Sequence, residues 1–264
     1  MEQNLKQLFQ IQRVLQREGY YDYVRISKEI YDFCNGNEKN ISDVLIKVEN
    51  GQPWEYVRGY TEFYGYKFLV NPSVLIPRVE TEQIIDIARL ENSNRNFKSI
   101  IDVGTGSGCI IISLAKVFGK GISYTATDIS KNALNIATKN AVASGVKGDI
   151  TFVRTNLIDS IPILGNTLII ANLPYIPTGI YYTLDHSVTD YEPKLALDGG
   201  KDGLKYYRRL IKTISRVKEK QNLLLLIEID PSVEEKLNGL LRDREVRIIK
   251  DLNNLSRFAL ISFS

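Results

Sequence analysis

The chain has 264 residues, of which 44% are hydrophobic and 25% are charged, a composition typical of a globular protein. Its 34 basic and 31 acidic residues leave a net charge of +3, which is too small to indicate nucleic-acid binding by itself. The two cysteines, Cys34 and Cys109, exclude a disulfide framework, and the one histidine, His186, excludes a multi-histidine metal site. We therefore expect no bound metal.

The sequence shows no sign of membrane targeting. The first ten residues include the charged Glu2 and Lys6 and lack the apolar core of a signal peptide. The longest apolar runs, such as 223–227, are far shorter than the roughly 20 residues that a membrane-spanning helix needs. We expect a cytoplasmic protein that does not bind a membrane.

The N-terminal part has a helical pattern. Apolar residues recur at helical spacing in 5–15 and again in 21–33. Ser42 is a candidate N-cap for a short third helix that ends near Val48. Strand-like residues on both sides of Gly65 then predict a β-hairpin.

From residue 99 onward, short apolar strands alternate with helical segments. The predicted strands are 99–103, 123–127, 150–153, 168–171 and 223–229, and the predicted helices are 109–118, 131–143 and 204–218. Such alternation is typical of α/β proteins with a mostly parallel sheet. Two further runs, 246–249 and 258–262, predict an antiparallel edge. We therefore predict a helical domain with a hairpin linker at 1–75, followed by an α/β catalytic domain at 76–264.

A glycine-rich loop follows the first strand of this sheet and precedes a helix. Its sequence is Asp102-Val103-Gly104-Thr105-Gly106-Ser107-Gly108. Alternate glycines permit a tight turn that a ligand can approach closely, at the strand ends where open α/β sheets bind ligands. The loop is not a dinucleotide fingerprint, because position 109 is Cys, and it is not a P-loop, because no Lys follows.

An acidic residue ends the next strand. The carboxylate of Asp128 can accept hydrogen bonds from both hydroxyls of a ribose. The glycine loop and Asp128 together predict a site for a nucleoside cofactor. We expect Asp102 to organise the loop or to face the cationic end of the ligand.

The segment Asn172-Leu173-Pro174-Tyr175 directly follows another apolar strand. Pro174 fixes its own φ and restricts Leu173, so the turn is stiff. A stiff turn can aim the Asn172 amide oxygen and the Leu173 carbonyl at one point, where two acceptors hold a planar NH₂ group. We expect the Tyr175 ring to stack on that group.

These motifs resemble those of the class I S-adenosylmethionine-dependent methyltransferases, and more closely those of the release-factor glutamine methyltransferases (the PrmC/HemK family). The resemblance covers most of the chain. It rests on Gly51-Gln52-Pro53, Thr61-Glu62-Phe63-Tyr64-Gly65, Leu75-Ile76-Pro77-Arg78-Val79-Glu80-Thr81-Glu82, the glycine loop, Tyr191-Glu192-Pro193 and Leu197-Asp198-Gly199-Gly200-Lys201-Asp202-Gly203-Leu204.

The resemblance implies a Rossmann-like methyltransferase fold, S-adenosylmethionine as cofactor and S-adenosylhomocysteine as product. It implies methyl transfer to the glutamine of the Gly-Gly-Gln motif of a peptide chain release factor, the expected partner of a monomer. The implied cofactor-binding residues are Asp102, Gly104, Thr105, Gly106, Ser107, Gly108, Asp128, Asn156, Leu157 and Asn172. The implied catalytic residues are Asn172, Leu173, Pro174 and Tyr175.

The sequence departs from the family pattern at three places. Leu173 stands where the family has Pro, Asn156 stands where it has Asp, and 228–231 keeps only the Glu of a Glu-x-Gly signature. The chain therefore looks like a divergent member.

Two other functions stay open on the sequence. An adenine amino group is also a planar NH₂, so N6-adenine methylation of DNA or RNA is the alternative, although we expect no direct nucleic-acid partner. The excess of basic residues in 91–264, densest in 205–220, favours that alternative. A binding module with a degenerate cofactor fold is the third possibility.

Overall fold

The computed structural model describes residues 2–159, 161–242 and 244–263. The helices are α1 Glu2–Arg17, α2 Tyr23–Phe33, α3 Glu38–Glu49, α4 Trp54–Arg58, α5 Gln83–Arg95, α6 Cys109–Phe118, α7 Lys131–Ala143, α8 Thr178–Tyr181, α9 His186–Thr189, α10 Lys205–Ile214 and α11 Glu234–Leu240. The strands are β1 Tyr60–Phe63, β2 Tyr66–Leu69, β3 Ser99–Val103, β4 Ser123–Asp128, β5 Ile150–Arg154, β6 Thr167–Ala171, β7 Leu223–Glu228, β8 Val246–Lys250 and β9 Ser256–Phe263. Within the described ranges, no helix has both the length and the apolar character that a membrane crossing requires.

Strands β3 to β9 form one sheet in the order β5-β4-β3-β6-β7-β9-β8. The first five strands in that order are parallel, and β9 runs antiparallel to both of its neighbours. This confirms the predicted α/β class; the antiparallel strand β9 lies one position inside the edge strand β8. The chain builds outward from β3 in one direction and from β6 in the other. The switch point between β3 and β6 is where such sheets bind ligands.

Both faces of the sheet are buried. Alternate residues of β6 belong to different hydrophobic clusters: Leu168 and Ile170 pack on one face, and Ile169 and Ala171 on the other. All five residues of β6 are buried. Continuous apolar strands of this kind are expected where helices cover both faces of a parallel sheet.

Helices α1 to α4 pack around a cluster of their own, which includes Ile11, Ile30 and Trp54. The prediction that Ser42 caps the third helix is wrong. That helix begins at Glu38, because the side chain of Asn37 accepts a hydrogen bond from the Asn40 backbone N–H and satisfies the first turn.

The predicted hairpin around Gly65 is confirmed. Tyr64 and Gly65 both have positive φ, 50° and 74°, as the preferred two-residue hairpin turn requires. The linker beyond it packs on the sheet domain, since Val74 and Ile76 share a cluster with residues of α7. The domain boundary between residues 75 and 76 stays a prediction.

One buried amide ties the hairpin to the glycine loop. The side chain of Asn140, on α7, accepts from the Leu69 N–H at 2.7 Å and donates to the Leu69 carbonyl at 3.0 Å. It also donates to the Ser107 carbonyl at 2.8 Å. Asn140 therefore acts as a short strand partner for β2 and fixes the loop at the same time.

We expect Asn140→Ala to lower the free energy of unfolding by about 1–3 kcal/mol, because it leaves buried backbone groups without partners. Urea unfolding followed by circular dichroism measures this. The matched control is Asn135→Ala on the exposed face of the same helix, for which we expect a change within about 0.5 kcal/mol. Equal effects of the two substitutions would contradict the bridging role of Asn140.

Candidate active site

A cavity of about 340 Å³ opens at the carboxyl ends of β3, β4 and β6. This volume falls within the range of about 300–1,000 Å³ typical of small-molecule sites. The residues predicted from the sequence that line it are Gly104, Thr105, Gly106, Ser107, Asp128, Asn156, Leu157, Asn172, Leu173 and Pro174. The lining also includes Ser73, Pro77, Arg78 and Thr81 from the segment before α5, and Lys205, Tyr206 and Arg209 from α10.

Asp102 lies beneath the loop and is only 1% exposed. Its Oδ2 accepts a hydrogen bond from the Thr105 hydroxyl at 2.6 Å, so the carboxylate does organise the loop. Its Oδ1 is buried and has no hydrogen-bond partner among the described residues. Burial raises the pKa of Asp102 to about 7, and the nearby Asp128 charge adds to that rise.

Two glycines of the loop are required for different reasons. Gly104 has a φ of +75°, and a Cβ there would lie 3.0 Å from Cδ2 of Leu173. Gly108 has a φ of +81°, and a Cβ there would lie 2.9 Å from Ile112 and 3.0 Å from Ala137. Gly104 thus lets the loop meet the turn after β6, whereas Gly108 lets α6 and α7 pack closely.

Asp128 links the loop to the end of β4. Its Oδ2 accepts from the Gly106 N–H at 3.0 Å, and its Oδ1 accepts from the Ser130 N–H at 2.8 Å. Burial raises the pKa of this carboxyl above its ordinary value. Each carboxylate oxygen keeps a free lone pair, so both can still accept from the hydroxyls of a ligand.

The segment after β5 carries a strained residue. Leu157 has a φ of +56°, in the left-handed region that β-carbon-bearing residues rarely adopt, and its side chain is buried. Such backbone strain recurs at ligand-binding sites. It places both Asn156 and Leu157 on the cavity wall.

The turn after β6 has a defined hydrogen-bond pattern. Asn172 Nδ2 donates to the Thr81 hydroxyl at 3.3 Å, and no described residue donates to its Oδ1. The Leu173 N–H donates to the Tyr207 hydroxyl at 3.2 Å. That hydroxyl donates at 2.6 Å to the main-chain oxygen of Glu228 and lies 3.1 Å from the Leu173 carbonyl.

Three predicted site residues do not line the cavity. Asp102 and Gly108 support the loop from below, as described. The ring of Tyr175 packs against a hydrophobic cluster, and its expected stacking on a bound group stays a prediction. Its hydroxyl donates to Oε1 of the buried Glu228 at 3.3 Å.

Sequence reasoning missed the residues behind the turn. Thr81, Tyr207 and Glu228 are each 2% exposed or less and surround it. Arg78 also lines the cavity and pairs with the buried Glu192. The chain shares motifs with a known family at all these positions except Tyr207, but a motif does not show which residues touch.

Comparison with known proteins agrees with this fold. Residues 85–183 match the model of the methyltransferase small domain family. The catalytic domain of human METTL16, solved with an RNA hairpin, superposes with a TM-score of 0.60 at 18% identity, covering 76% of this chain and 75% of that one. The human METTL16 N-terminal domain, solved with S-adenosylhomocysteine, gives a TM-score of 0.53 at 19% identity, covering 76% of this chain and 77% of that one. The fold and the glycine-loop cavity therefore define a class I methyltransferase.

The relatives found by sequence comparison define the family more narrowly. The release factor glutamine methyltransferase of Bacillus cereus is 35% identical over 83% of this chain and 80% of its own length. The protein of the same name from Chlorobaculum tepidum is 37% identical over 78% of this chain and 73% of its own length. The chain belongs to the family of release factor glutamine methyltransferases.

We expect Gly104→Ala to weaken cofactor binding, because the new Cβ would lie 3.0 Å from Cδ2 of Leu173. The φ of +75° at residue 104 is also unfavourable for alanine. Calorimetry with S-adenosylhomocysteine measures this. The matched control is Gly145→Ala, which has the same φ of +75° but has no atom within 4 Å of the new Cβ. If both variants bind equally well, the contact between the loop and Leu173 has no part in binding.

We expect Asp102→Asn to change how stability depends on pH. The folded-state pKa of about 7 lies above the unfolded value of about 4, so the parent protein loses stability as pH rises from 4 to 7. The variant lacks this loss, so its stability relative to the parent should rise over that interval and level off above pH 7. Urea unfolding of the ligand-free proteins between pH 5 and 8 measures it, and a difference that stays constant would contradict the burial argument.

Proposed function

We propose that the chain transfers a methyl group from S-adenosylmethionine to the side-chain nitrogen of the glutamine in the Gly-Gly-Gln motif of peptide chain release factors. The observation that carries the proposal is the hydrogen bonding of Asn172, which lines the cavity. Its amide nitrogen donates to the Thr81 hydroxyl, and no described residue donates to its amide oxygen. A free acceptor of this kind suits a substrate whose reactive group is a planar NH₂. The names of the relatives support glutamine as the amide concerned.

The residues fit S-adenosylmethionine. Oδ1 of Asp102 is buried and has no hydrogen-bond partner in the described part of the chain, which suits the cationic amino-acid end of the cofactor. Asp128 retains acceptor capacity for a ribose, and the amide oxygen of Asn156 can accept from the adenine amino group in place of the usual carboxylate. The cofactor, when bound, supplies an electrophilic methyl group on a sulfonium.

The turn after β6 would hold the substrate amide. Its nitrogen is a weak nucleophile, because its lone pair is delocalised into the carbonyl. The Asn172 oxygen and the Leu173 carbonyl would accept its two N–H groups and stabilise the positive charge that develops as the nitrogen leaves planarity. The Leu173 carbonyl has two lone pairs, so its proximity to the Tyr207 hydroxyl leaves one for the substrate.

Substrate positioning supplies the rest of the rate enhancement. A fixed turn converts the approach of nitrogen to methyl into a near-unimolecular event, worth up to about 7–11 kcal/mol. No base is needed before transfer, since the attacking amide can lose its proton afterwards. Because the proposed substrate belongs to the translation machinery, we expect the chain to act in the cytoplasm.

We expect Asn172→Ala to lower methyl transfer by about 10²–10³ while leaving cofactor affinity nearly unchanged, because the lost acceptor serves the developing charge. We expect Asp128→Ala to weaken cofactor affinity instead. The assay incubates each protein with cofactor and an unmethylated release factor, then maps the methylated peptide by mass spectrometry; calorimetry gives the cofactor affinity.

The control is Asn135→Ala, an exposed position far from the turn in sequence. Methylation of the Gly-Gly-Gln glutamine by Asn172→Ala at the parental rate would contradict the proposed role of Asn172. Cofactor binding without any modification of the release factor by the parent protein would overturn the proposed substrate. Methylation of an adenine in DNA or RNA instead would establish the alternative.

A further inference from the structure

The side chain of Glu228 lies behind the turn, at the carboxyl end of β7, and is 1% exposed. Its Oε2 accepts a hydrogen bond from the Thr81 hydroxyl at 2.7 Å, and its Oε1 accepts from Tyr175 at 3.3 Å. The Thr81 oxygen in turn accepts from Asn172 Nδ2. Glu228, Thr81 and Asn172 therefore form a chain of hydrogen bonds that ends at the cavity.

The chemistry of these three side chains fixes which group donates and which accepts in each hydrogen bond. An ionised carboxylate has no proton to donate, so the single hydroxyl proton of Thr81 must go to Glu228. The Thr81 oxygen is then only an acceptor toward Asn172. Asn172 must present its NH₂ to Thr81, and its Oδ1 must face the other way.

Without this constraint the amide has two nearly equivalent orientations. The oxygen and the nitrogen of an asparagine side chain have almost the same size, so packing alone selects poorly between them. In the reversed orientation Asn172 would present NH₂ to the NH₂ of the substrate. Two donors would then face each other, and the acceptor that the reaction needs would point at Thr81.

We propose that Thr81 and Glu228 are positioning residues that fix the Asn172 amide with its oxygen toward the substrate. The proposal deepens the proposed function and rests on it for the role of Asn172. The positioning role also explains why Glu228 is buried, although a buried carboxylate destabilises a fold unless donors surround it.

Protonation of Glu228 would remove the fixed donor-to-acceptor order that runs from Asn172 through Thr81 to Glu228. Burial raises the pKa of Glu228 to about 7. A protonated Glu228 can donate to Thr81, and Thr81 can then donate to the Asn172 oxygen. The charged and titratable groups that surround Glu228 are Arg257, Glu80, Tyr175, Tyr207 and Cys109; Arg257 favours the ionised form and Glu80 opposes it.

The first test replaces the hydroxyl. We expect Thr81→Val, which keeps the shape, to lower kcat at least about tenfold with little change in cofactor affinity, because it removes the group that orients the acceptor. We expect Thr81→Ser, which keeps the hydroxyl, to restore most of the activity. A Thr81→Val variant with parental kcat, or a Thr81→Ser variant as slow as Thr81→Val, would overturn the proposal.

The second test uses pH. We expect kcat of the parent protein to fall as pH drops below about 7, since that protonates Glu228. Glu228→Gln cannot titrate, so its lower kcat should lack this acid limb. An acid limb that survives in Glu228→Gln would overturn the assignment to this carboxyl.

The third test needs no substrate. Protein labelled with ¹⁵N-asparagine gives a side-chain NH₂ signal for Asn172, which is identified by its loss in Asn172→Ala. We expect this signal to shift with pH in the parent protein and to move in Thr81→Val but little in Thr81→Ser. A signal that changes neither with pH nor in Thr81→Val would refute the positioning role. Absence of release factor methylation by the parent protein would refute only the proposed function.

Discussion

The hydrogen bonds that converge on Glu228 hold the proposed site together. This carboxylate is buried at the end of β7, and it takes its donors from the segment before α5 and from the turn after β6. The main-chain oxygen of Glu228 accepts a third hydrogen bond, from the Tyr207 hydroxyl. Because burial of an unsatisfied carboxylate is costly, these hydrogen bonds favour the packing of both segments against β7. The same hydrogen bonds bring these two parts of the cavity lining together.

A second buried acid, Asp102, lies on the other side of the switch point, one residue before the end of β3. Both carboxyls have their pKa raised to about 7 by burial. Both carboxylate oxygens of Glu228 accept hydrogen bonds within the protein, whereas Oδ1 of Asp102 has no partner among the described residues. Burial of Asp102 therefore costs stability, and under the proposed function a cationic ligand would restore part of it.

The sequence predicted several elements that have a local signal. The strand at 99–103 and the helices at 109–118 and 131–143 were predicted with the bounds observed, because apolar periodicity and the glycines that flank it act over a few residues. The contact between Thr81 and Glu228 joins residues 147 positions apart, and no local pattern encodes it. Sequence reasoning did not find the partner of the Tyr175 hydroxyl for the same reason, since Glu228 lies on a neighbouring strand. The start of α3 was misplaced because two capping residues, Asn37 and Ser42, were available and only the structure distinguishes them.

The position of β9 has a consequence for the order in which the sheet assembles. Residues 256–263 insert between β7 and β8, and Phe258 is the register partner of Glu228. Strand β8 precedes β9 in the sequence, but it joins the sheet only through β9. Until β9 pairs with β7, that strand has an unpaired edge and Glu228 has no strand partner on that side. The support behind the turn after β6 is therefore complete only when this later strand has inserted.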